Sequence, residues 1–452
     1  MSFDLLSTIG ADEHMSVIFS EDRAIADLLQ VEAAFAYGLH DAGLIDAACA
    51  ERIAAACTPA AVDRDELWAQ TALVGYPVLP LVRMICARVG EPDAGWVHYG
   101  ATTQDIMDSA LAMQLRDAAD RMLEMVRRIG DGLAARAEEH VGTVMAGRTH
   151  AQQAVPTTFG AKLAVFLSEF TRHHARLRSA REAAATVSMF GAGGTSAALG
   201  LRADAVRRTL AHRLGLAYTD VPWHVGRDRV AHLSLVAAEV AGTCVRLARE
   251  IVDLSRTEVG EVAEADGMYR GASSTMPQKA NPISAEITVG FGVMTQAGAQ
   301  AMLRAMEAGH ERSAGEWQIE WQAVPLVFRS AAGALRATDS IVSGLRVFSD
   351  RMRENLDLDG GRIMAEAYMI SLAAHVGRER AHEVLYRAVR VSRTENRPLL
   401  ATLRDSLPAE AWTSISADLP RPESYLGSVR SICAAAVADW QAERSDRSST
   451  DG

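Results

Sequence analysis

The stretch that organises this chain is residues 269–282, YRGASSTMPQKANP. It places two adjacent serine hydroxyls, a lysine cation and an asparagine carboxamide in a segment with neither the helical period nor the alternating period of a strand. This composition predicts a mobile polar loop. At its end, Asn281 is a good helix N-cap and Pro282 suits the first helical position, so we expect a helix to begin there.

Composition limits what this loop can belong to. The 452 residues are 49% hydrophobic and 23% charged, which is enough to bury a large core in two or three domains. The formal charge of −11, without any Lys/Arg-rich run, argues against nucleic acid or an anionic membrane as a partner. Five separated cysteines without a C-x-x-C pair suggest neither a disulfide framework nor a zinc site. With no basic signal segment and no convincing membrane span, we expect a cytoplasmic protein.

Apolar residues at helical spacing predict an all-α protein with almost no strands. The clearest stripes cover 109–139, 158–186, 228–262, 284–308 and 317–345, and the last contains Pro325, where we expect a break or a kink. Helices this long usually pack side by side, and the stripes are wider than one seam. We therefore expect an elongated bundle whose outer apolar surface is covered by other subunits.

The same patterns suggest three parts. We expect an N-terminal helical domain over 1–108, a central bundle of long helices over 109–350, and a small C-terminal helical domain over 351–452. The last part ends in a polar tail, 444–452, which we expect to be disordered.

Two more polar clusters interrupt the helical patterns. Residues 96–105, WVHYGATTQD, and residues 147–157, GRTHAQQAVPT, are rich in groups that could bind or protonate a ligand. A single loop histidine is more often a surface or capping group than a catalytic one. Three such clusters in one chain favour a functional site.

The three clusters carry a family resemblance. Residues 272–282, ASSTMPQKANP, match the form G-S-S-x-M-P-x-K-x-N-P except at Ala272, and residues 98–105 and 147–152 supply two further blocks in the appropriate order. On these residues the chain resembles the fumarase/aspartase superfamily, which includes adenylosuccinate lyase, argininosuccinate lyase and 3-carboxy-cis,cis-muconate cycloisomerase. The resemblance covers nearly the whole chain. It implies a central bundle of long helices with two smaller, mostly helical end domains, and a homotetramer with shared active sites.

The resemblance also implies a reaction. Members of the superfamily remove a proton from the carbon next to a carboxylate and expel a group from the neighbouring carbon, usually releasing fumarate. By resemblance Ser273 is the base, while Lys279 and Asn281 can stabilise the dianionic aci-carboxylate. A serine needs help from nearby donors to act as a base. The alternative for these residues is structural, a hydrated loop and a helix N-cap.

The leaving group must receive a proton. By resemblance His150 is the general acid and Glu286 is the carboxylate that orients it, although Glu286 could instead interact only with its helix dipole. His98 is the second acid candidate. The remaining expected substrate-binding residues, whose alternative is loop capping, are Thr102, Thr103, Thr149, Gln152, Ser274, Met276 and Arg312.

Two other features concern cofactors. Residues 191–196, GAGGTS, lack the G-K-[ST] ending of a phosphate loop; the resemblance makes them a turn at the substrate pocket, and a plain helix break is the alternative. No H-E-x-x-H motif occurs, so we expect no catalytic metal and no other cofactor.

The branch of the superfamily is indicated by residues 310–321, HERSAGEWQIEW, and 355–361, NLDLDGG, which look most like the 3-carboxy-cis,cis-muconate cycloisomerase group. Adenylosuccinate lyases usually have Ser and Arg, which bind the nucleotide phosphate, where this chain has Trp317 and Trp321. A nucleotide substrate is therefore disfavoured, although both indoles could be core residues.

The departures from that branch affect the reaction. Several bacterial cycloisomerases carry Trp at the position of His150, and they usually have His and Arg at the positions of Gln278 and Ala280. A retained histidine acid favours an anti β-elimination from a substituted succinate, with a C–N or related bond broken and fumarate released. Lactonisation of carboxymuconate is the alternative reaction, and an inactive structural or binding homologue is the alternative of another class.

Overall fold

The structure, a computed structural model, describes residues 8–312 and 314–445. The protein is 68% helical. Within the described residues the strands form only two short antiparallel pairs. The prediction of a mostly helical protein is therefore confirmed.

The helices are numbered here in chain order. The N-terminal half contains α1 (Glu13–Ile18), α2 (Glu21–Asp41), α3 (Ala47–Ala56), α4 (Arg64–Val74), α5 (Val78–Val89), α6 (Thr103–Glu139), α7 (Phe159–Ala184) and α8 (Ala203–Leu214). The C-terminal half contains α9 (Asp228–Leu254), α10 (Ile283–Ala305), α11 (Glu316–Gly344), α12 (Ser349–Asn355), α13 (Ala365–Val376), α14 (Arg378–Thr394), α15 (Leu399–Asp405), α16 (Ala409–Ser416) and α17 (Val429–Ser445). The strands are β1 (Val144–Thr149), β2 (Gln152–Thr158), β3 (Val262–Ala263) and β4 (Arg346–Val347).

The five longest helices, α6, α7, α9, α10 and α11, fall where the apolar stripes predict them. Helix α11 continues through Pro325, so the helix does not break there, and the alternative of a kink stays a prediction. The expected polar tail also begins later, because α17 runs to Ser445, and the rest of the tail lies outside the described residues. Helix α9 is long and apolar enough to cross a membrane, but 67% of its most apolar window is buried, as in a core helix.

The second polar cluster is a β-hairpin rather than the loop expected from the sequence. Strands β1 and β2 pair antiparallel, with Thr149 opposite Gln152, and a register shift after Gly147 marks a bulge. Pro156 lies inside β2 opposite Ala146. A two-stranded hairpin has free edges, so the missing N–H of a proline can face outward at no cost.

The chain divides into two compact units, each built from three separate stretches. The first unit comprises Met1–Val126, His173–Val245 and Ile287–Ala337. The second unit comprises Arg127–Arg172, Arg246–Glu286 and Thr338–Gly452. The first has an apolar core that includes Phe35, Leu81 and Leu210, and the second has one that includes Leu372, Leu385 and Leu403. The expected division at 108 and 350 stays a prediction.

A buried ion cluster joins three segments of the first unit. The guanidinium of Arg227, just before α9, donates to both oxygens of Asp108 on α6 at 2.8 and 3.1 Å, and to Glu320 on α11 at 2.7 Å. All three side chains are 1% exposed. Burial raises the pKa of Asp108 to about 7, although Arg227 opposes this shift. One buried cation therefore serves two carboxylates.

We predict that Arg227→Ala destabilises the protein strongly, by about 3–5 kcal/mol, because it leaves two buried carboxylates without their cation. Chemical denaturation would measure the loss. Arg249→Ala, which removes an exposed arginine from α9, is the matched control and should have little effect. Equal stability of the two variants would show that the buried cluster is unimportant.

Candidate active site

The signature loop, residues 269–282, is anchored at both ends and exposed at its tip. The N–H of Asn281 donates to the carbonyl of Gly271 at 2.8 Å, and Ala272 and Ala280 form an antiparallel bridge. Gly271 has φ +65°, and a Cβ there would lie 2.3 Å from the carbonyl oxygen of Asn281. The backbone therefore requires a glycine at position 271. Ala272, the departure from the family form, does not have a positive φ, so its conformation does not require glycine.

The Ser273 side chain already receives backbone donors. Its Oγ accepts from the N–H groups of Met276 at 3.1 Å and Thr275 at 3.3 Å. Two N–H donors stabilise negative charge on this oxygen, which is the assistance that a serine base needs. Ser273 is half-buried, whereas residues 274–280, which include Ser274, Met276 and Lys279, are exposed.

The helix after the loop is capped by a different residue from the one expected. The carboxylate of Glu264 accepts from the N–H groups of Ala285 at 2.8 Å and Ser284 at 3.1 Å, in the first turn of α10. This takes the N-cap role expected of Asn281, because a buried carboxylate supplies two acceptors and complements the helix dipole. These two amides are thus occupied within the chain. Arg270 lies 3.5 Å from Glu264 and donates to Ser284 Oγ at 2.8 Å.

Hairpin β1–β2 carries His150 at its tip. His150 and Ala151 have φ angles of 50° and 62°, the positive values that a two-residue hairpin turn of type I′ requires. Thr149 and Gln152 flank the turn as a cross-strand pair, and all four residues are exposed. Positive φ at two residues other than glycine is unfavourable and is often found at functional sites.

A buried carboxylate holds this hairpin. Arg148 donates to Glu261 through two bonds, of 2.6 and 2.9 Å, and Glu261 is fully buried. Asn355 donates to the same carboxylate at 2.7 Å, and its carbonyl accepts from Gln153 at 2.6 Å. Arg148 therefore anchors the hairpin, and Asn355, at the start of the NLDLDGG stretch, supports that anchor.

Glu286, the carboxylate expected beside His150, lies in the first turn of α10 and is exposed. Within the described residues of one chain, no hydrogen bond or ion pair joins it to His150 or Ser273. The pairing of His150 with Glu286 stays a prediction.

One carboxylate joins the first polar cluster, residues 96–105, to the turn at Gly191. Asp105, 2% exposed, accepts from the N–H groups of Phe190 at 2.8 Å, Gly191 at 2.9 Å and Thr102 at 3.0 Å. Thr102 and Thr103 lie half-buried at the start of α6. The two stretches are therefore neighbours, as a shared binding site in the first unit would require.

His98 has the carboxylate partner that was expected for His150. Its Nδ1 lies 2.6 Å from Oε1 of Glu32, on α2, and the Glu32 side chain is 1% exposed. Burial lowers the pKa of His98, but the hydrogen bond and charge of Glu32 outweigh it, so the net shift is upward. A histidine held this way stays protonated to higher pH and can act as a general acid.

A second set of hydrogen bonds is centred on Gln104, the residue after Thr103. Gln104, 2% exposed, accepts from Nε of Arg312 at 2.9 Å and donates to the backbone carbonyl of His224 at 2.7 Å. Sequence reasoning identified Arg312 but missed His224, Glu32, Glu261 and Glu264. These four are single residues in ordinary helical or loop context, and their partners are far away in sequence.

Trp317 and Trp321 belong to an aromatic cluster. Trp317, 6% exposed, stacks on Tyr76 at 5.6 Å, and Trp321 meets Tyr76 edge-on at 5.8 Å. They line a cavity of about 240 Å³ with Asp108 and Glu320. Trp317 is thus a core residue, the alternative that the sequence left open, while Trp321 is 37% exposed.

In residues 8–312 and 314–445 no group of three or more His, Cys, Asp or Glu side chains is arranged to hold an ion.

We predict that the pKa of His98 lies above its ordinary value and that Glu32→Gln lowers it, because the charge that holds the proton is removed while burial remains. NMR titration of histidine-labelled protein, assigned with His98→Asn, would measure both values. Glu51→Gln, which changes an exposed glutamate on α3, is the control. An unchanged His98 titration in Glu32→Gln would contradict the pairing.

Known proteins are similar to this chain in sequence and in fold. The family model Lyase_1, described as a lyase family, matches residues 69–302. The chain is 37% identical to trans-aconitate decarboxylase 1 of Mycosarcoma maydis, over 93% of this chain and 86% of that protein. It is 32% identical to N-acetyl-S-(2-succino)cysteine lyase of Dickeya dadantii, over 89% of this chain and 88% of that protein.

Similarity to a solved structure extends over the whole fold. The crystal structure of 3-carboxy-cis,cis-muconate lactonizing enzyme from Pseudomonas putida matches with a TM-score of 0.91 at 36% identity, covering 97% of this chain and 99% of that chain. The resemblance carried by the three blocks is confirmed. The chain belongs to the fumarase/aspartase superfamily of lyases and has the helical fold of that superfamily.

Proposed function

We propose that the protein catalyses anti β-elimination from a substituted succinate and releases fumarate. The observation that carries this proposal is the 2.6 Å contact between His98 and the buried carboxylate of Glu32. An elimination that breaks a C–N or C–S bond must protonate its leaving group, and a histidine held charged by a carboxylate supplies that proton. Of the two acid candidates we therefore favour His98, and His150 with Glu286 is the alternative acid.

The reaction has two proton transfers. Ser273 Oγ, as the alkoxide, takes the proton from the carbon next to one carboxylate, and the electron pair moves onto that carboxylate to give the aci-form. Lys279 and Asn281 are positioned on the same loop to stabilise this dianion. The electrons then return, the bond to the leaving group breaks, and His98 protonates the departing atom. The donors from Met276 and Thr275 to Ser273 Oγ support its role as base.

The names of the relatives narrow the substrate class. trans-Aconitate, 3-carboxy-cis,cis-muconate and N-acetyl-S-(2-succino)cysteine each contain three carboxyl groups. We propose that the substrate here is a tricarboxylate, namely a succinate whose substituent carries the third carboxyl group. Trp317 and Trp321 stand where adenylosuccinate lyases usually have residues that bind the nucleotide phosphate, and an indole offers a phosphate no donor fork, which supports this choice over a nucleotide.

Lactonisation of 3-carboxy-cis,cis-muconate is the second candidate. The 36% identity to the Pseudomonas putida lactonizing enzyme over nearly all of both chains favours it. Lactonisation adds an internal carboxylate to a double bond, which is the reverse of an elimination whose leaving group needs no proton. The His98–Glu32 pair therefore favours elimination.

We also propose that the active site is shared between the chains of a cytoplasmic homotetramer. The loop residues 274–280, His150 and Glu286 are exposed in the single chain, although catalysis requires a site that excludes water. Helices α10 and α11 also expose apolar side chains, including Val293, Met294, Leu303 and Leu326 at 37–47%. Such a face is suited to packing against further copies of this chain.

We predict that the protein converts at least one of a panel of substituted succinates and tricarboxylates to an unsaturated acid, and that Ser273→Ala lowers turnover by about 10²- to 10⁴-fold. The panel includes N-acetyl-S-(2-succino)cysteine, trans-aconitate, 3-carboxy-cis,cis-muconate and adenylosuccinate. Mass spectrometry identifies fumarate and the released partner. Substrate binding should change little, because Ser273 is needed mainly in the transition state.

Thr275→Ala is the matched control, since it removes a hydroxyl from the same loop but keeps the N–H that donates to Ser273. Its effect should be far smaller. Normal turnover by Ser273→Ala would show that another group is the base. No product from any member of the panel would favour the inactive binding homologue, and a lactone from carboxymuconate would favour the cycloisomerase.

A further inference from the structure

His224 is a buried histidine whose ring nitrogens are not used. The residue is 8% exposed, and neither Nδ1 nor Nε2 has a hydrogen-bond partner within the described residues. A buried polar atom without a partner is costly, and a native fold that keeps one usually has a use for it. The ring contributes to none of the interactions of the proposed elimination.

The position of the ring is built by its neighbours. Gly194 has φ +77°, and a Cβ on it would lie 2.6 Å from Cε1 of His224 and 3.3 Å from Nε2. The imidazole therefore lies against bare backbone, which only glycine permits. The amide of Gln104 also fixes the backbone of this residue, because it donates to the His224 carbonyl at 2.7 Å. The ring is held in place, and neither of its nitrogens makes a hydrogen bond of ordinary geometry within the described residues.

A guanidinium is held beside this ring by the same amide. Gln104 Oε1 accepts from Nε of Arg312 at 2.9 Å. Arg227 and Arg148 each bond to a buried carboxylate, but in the part of the chain that the structure describes Arg312 has only this neutral partner. Burial lowers the pKa of His224 most, and the charge of Arg312 lowers it further, whereas a hydrogen-bonding contact with the Glu311 backbone opposes the shift.

These groups lie beside the predicted substrate binders. Gln104 follows Thr103 directly, and Asp105 ties Thr102 to Gly191 in the turn that also contains Gly194. A neutral imidazole offers one N–H donor, and a guanidinium offers a fork of donors with a full charge. A planar anion satisfies both, and a carboxylate is the anion that the proposed substrate class supplies.

We propose that His224 is a substrate-binding residue that, with Arg312, binds the third carboxylate of a tricarboxylate substrate, the one that takes no part in the elimination. This inference rests on the proposed function for its choice of ligand. The signature loop and the threonines of the first cluster then bind the reacting succinate part of the substrate. His224 and Arg312 then determine which succinate derivatives are accepted.

Binding measured without turnover tests the inference separately from the reaction. We would titrate the full-length assembled protein by calorimetry with propane-1,2,3-tricarboxylate and with succinate, neither of which has a leaving group. The wild type should bind the tricarboxylate more tightly. His224→Leu should weaken tricarboxylate binding by about 10- to 100-fold, the value of a hydrogen bond to a charged group, and leave succinate binding nearly unchanged.

Matched variants guard against a folding effect. His224→Gln retains an N–H donor and should lose less affinity than His224→Leu. Arg312→Gln changes an exposed side chain, so it should fold normally and show the same selective loss. His173→Gln removes another buried histidine, bonded to Thr243, and should leave the preference intact.

The outcomes separate the two proposals. A preference for the tricarboxylate that survives in both His224→Leu and Arg312→Gln would overturn the inference, as would equal binding of both ligands by the wild type. If the preference collapses as expected but no member of the substrate panel reacts, the carboxylate site stands and the lyase proposal fails.

Discussion

The first unit depends on one buried guanidinium. Arg227 binds Asp108 and Glu320, so three segments that are distant in sequence must meet at one point with fixed register. The side chains that could bind a ligand or react with it lie close in sequence to these three ionic residues. Gln104 and Asp105 lie one turn before Asp108. A buried ion cluster of this kind need not add net stability, and its value can lie in selecting one arrangement over others.

A buried carboxylate also supports each of the three candidate blocks. Buried Glu32 holds His98, buried Glu261 holds the hairpin that carries His150, and Glu264 caps the helix after the signature loop. Each carboxylate is removed from solvent and bonded to a cation, an imidazole or backbone amides, which is the condition under which a buried charge is tolerated. Side chains such as His150 and Lys279 can therefore be exposed on short projections without being loosely held.

The long helices could be predicted because their apolar residues repeat at the helical period over many turns. The signature loop was recognisable because its residue types and spacing are specific. The hairpin was missed because His150-Ala151 is not a glycine or asparagine turn, and because its strands contain two adjacent glutamines and a proline, which are not typical of strands. The local sequence favours Asn281 as the N-cap. In the structure the first-turn N–H groups donate instead to the carboxylate of Glu264, which lies twenty residues before Ser284.

Glu32 and His224 could not be found in the sequence for the same reason. Their importance comes from partners that folding brings together, His98 for one and Gly194 and Arg312 for the other. His150 and Glu286 are the opposite case. The resemblance predicted their pairing, but both side chains are exposed in the single chain. In the proposed assembly, contacts with other chains would fix the geometry of this pair.

The central proposal is that an acid from one chain and a base from another act on the same molecule in a shared active site. A crystal structure of the assembled protein with propane-1,2,3-tricarboxylate bound would test it most directly. The account predicts that His98, with Glu32 behind it, and Ser273 of a different chain both contact the ligand, with the loop closed over it. A ligand contacted by His98 and Ser273 of a single chain, or a protein that crystallises and elutes as an active monomer, would contradict the account.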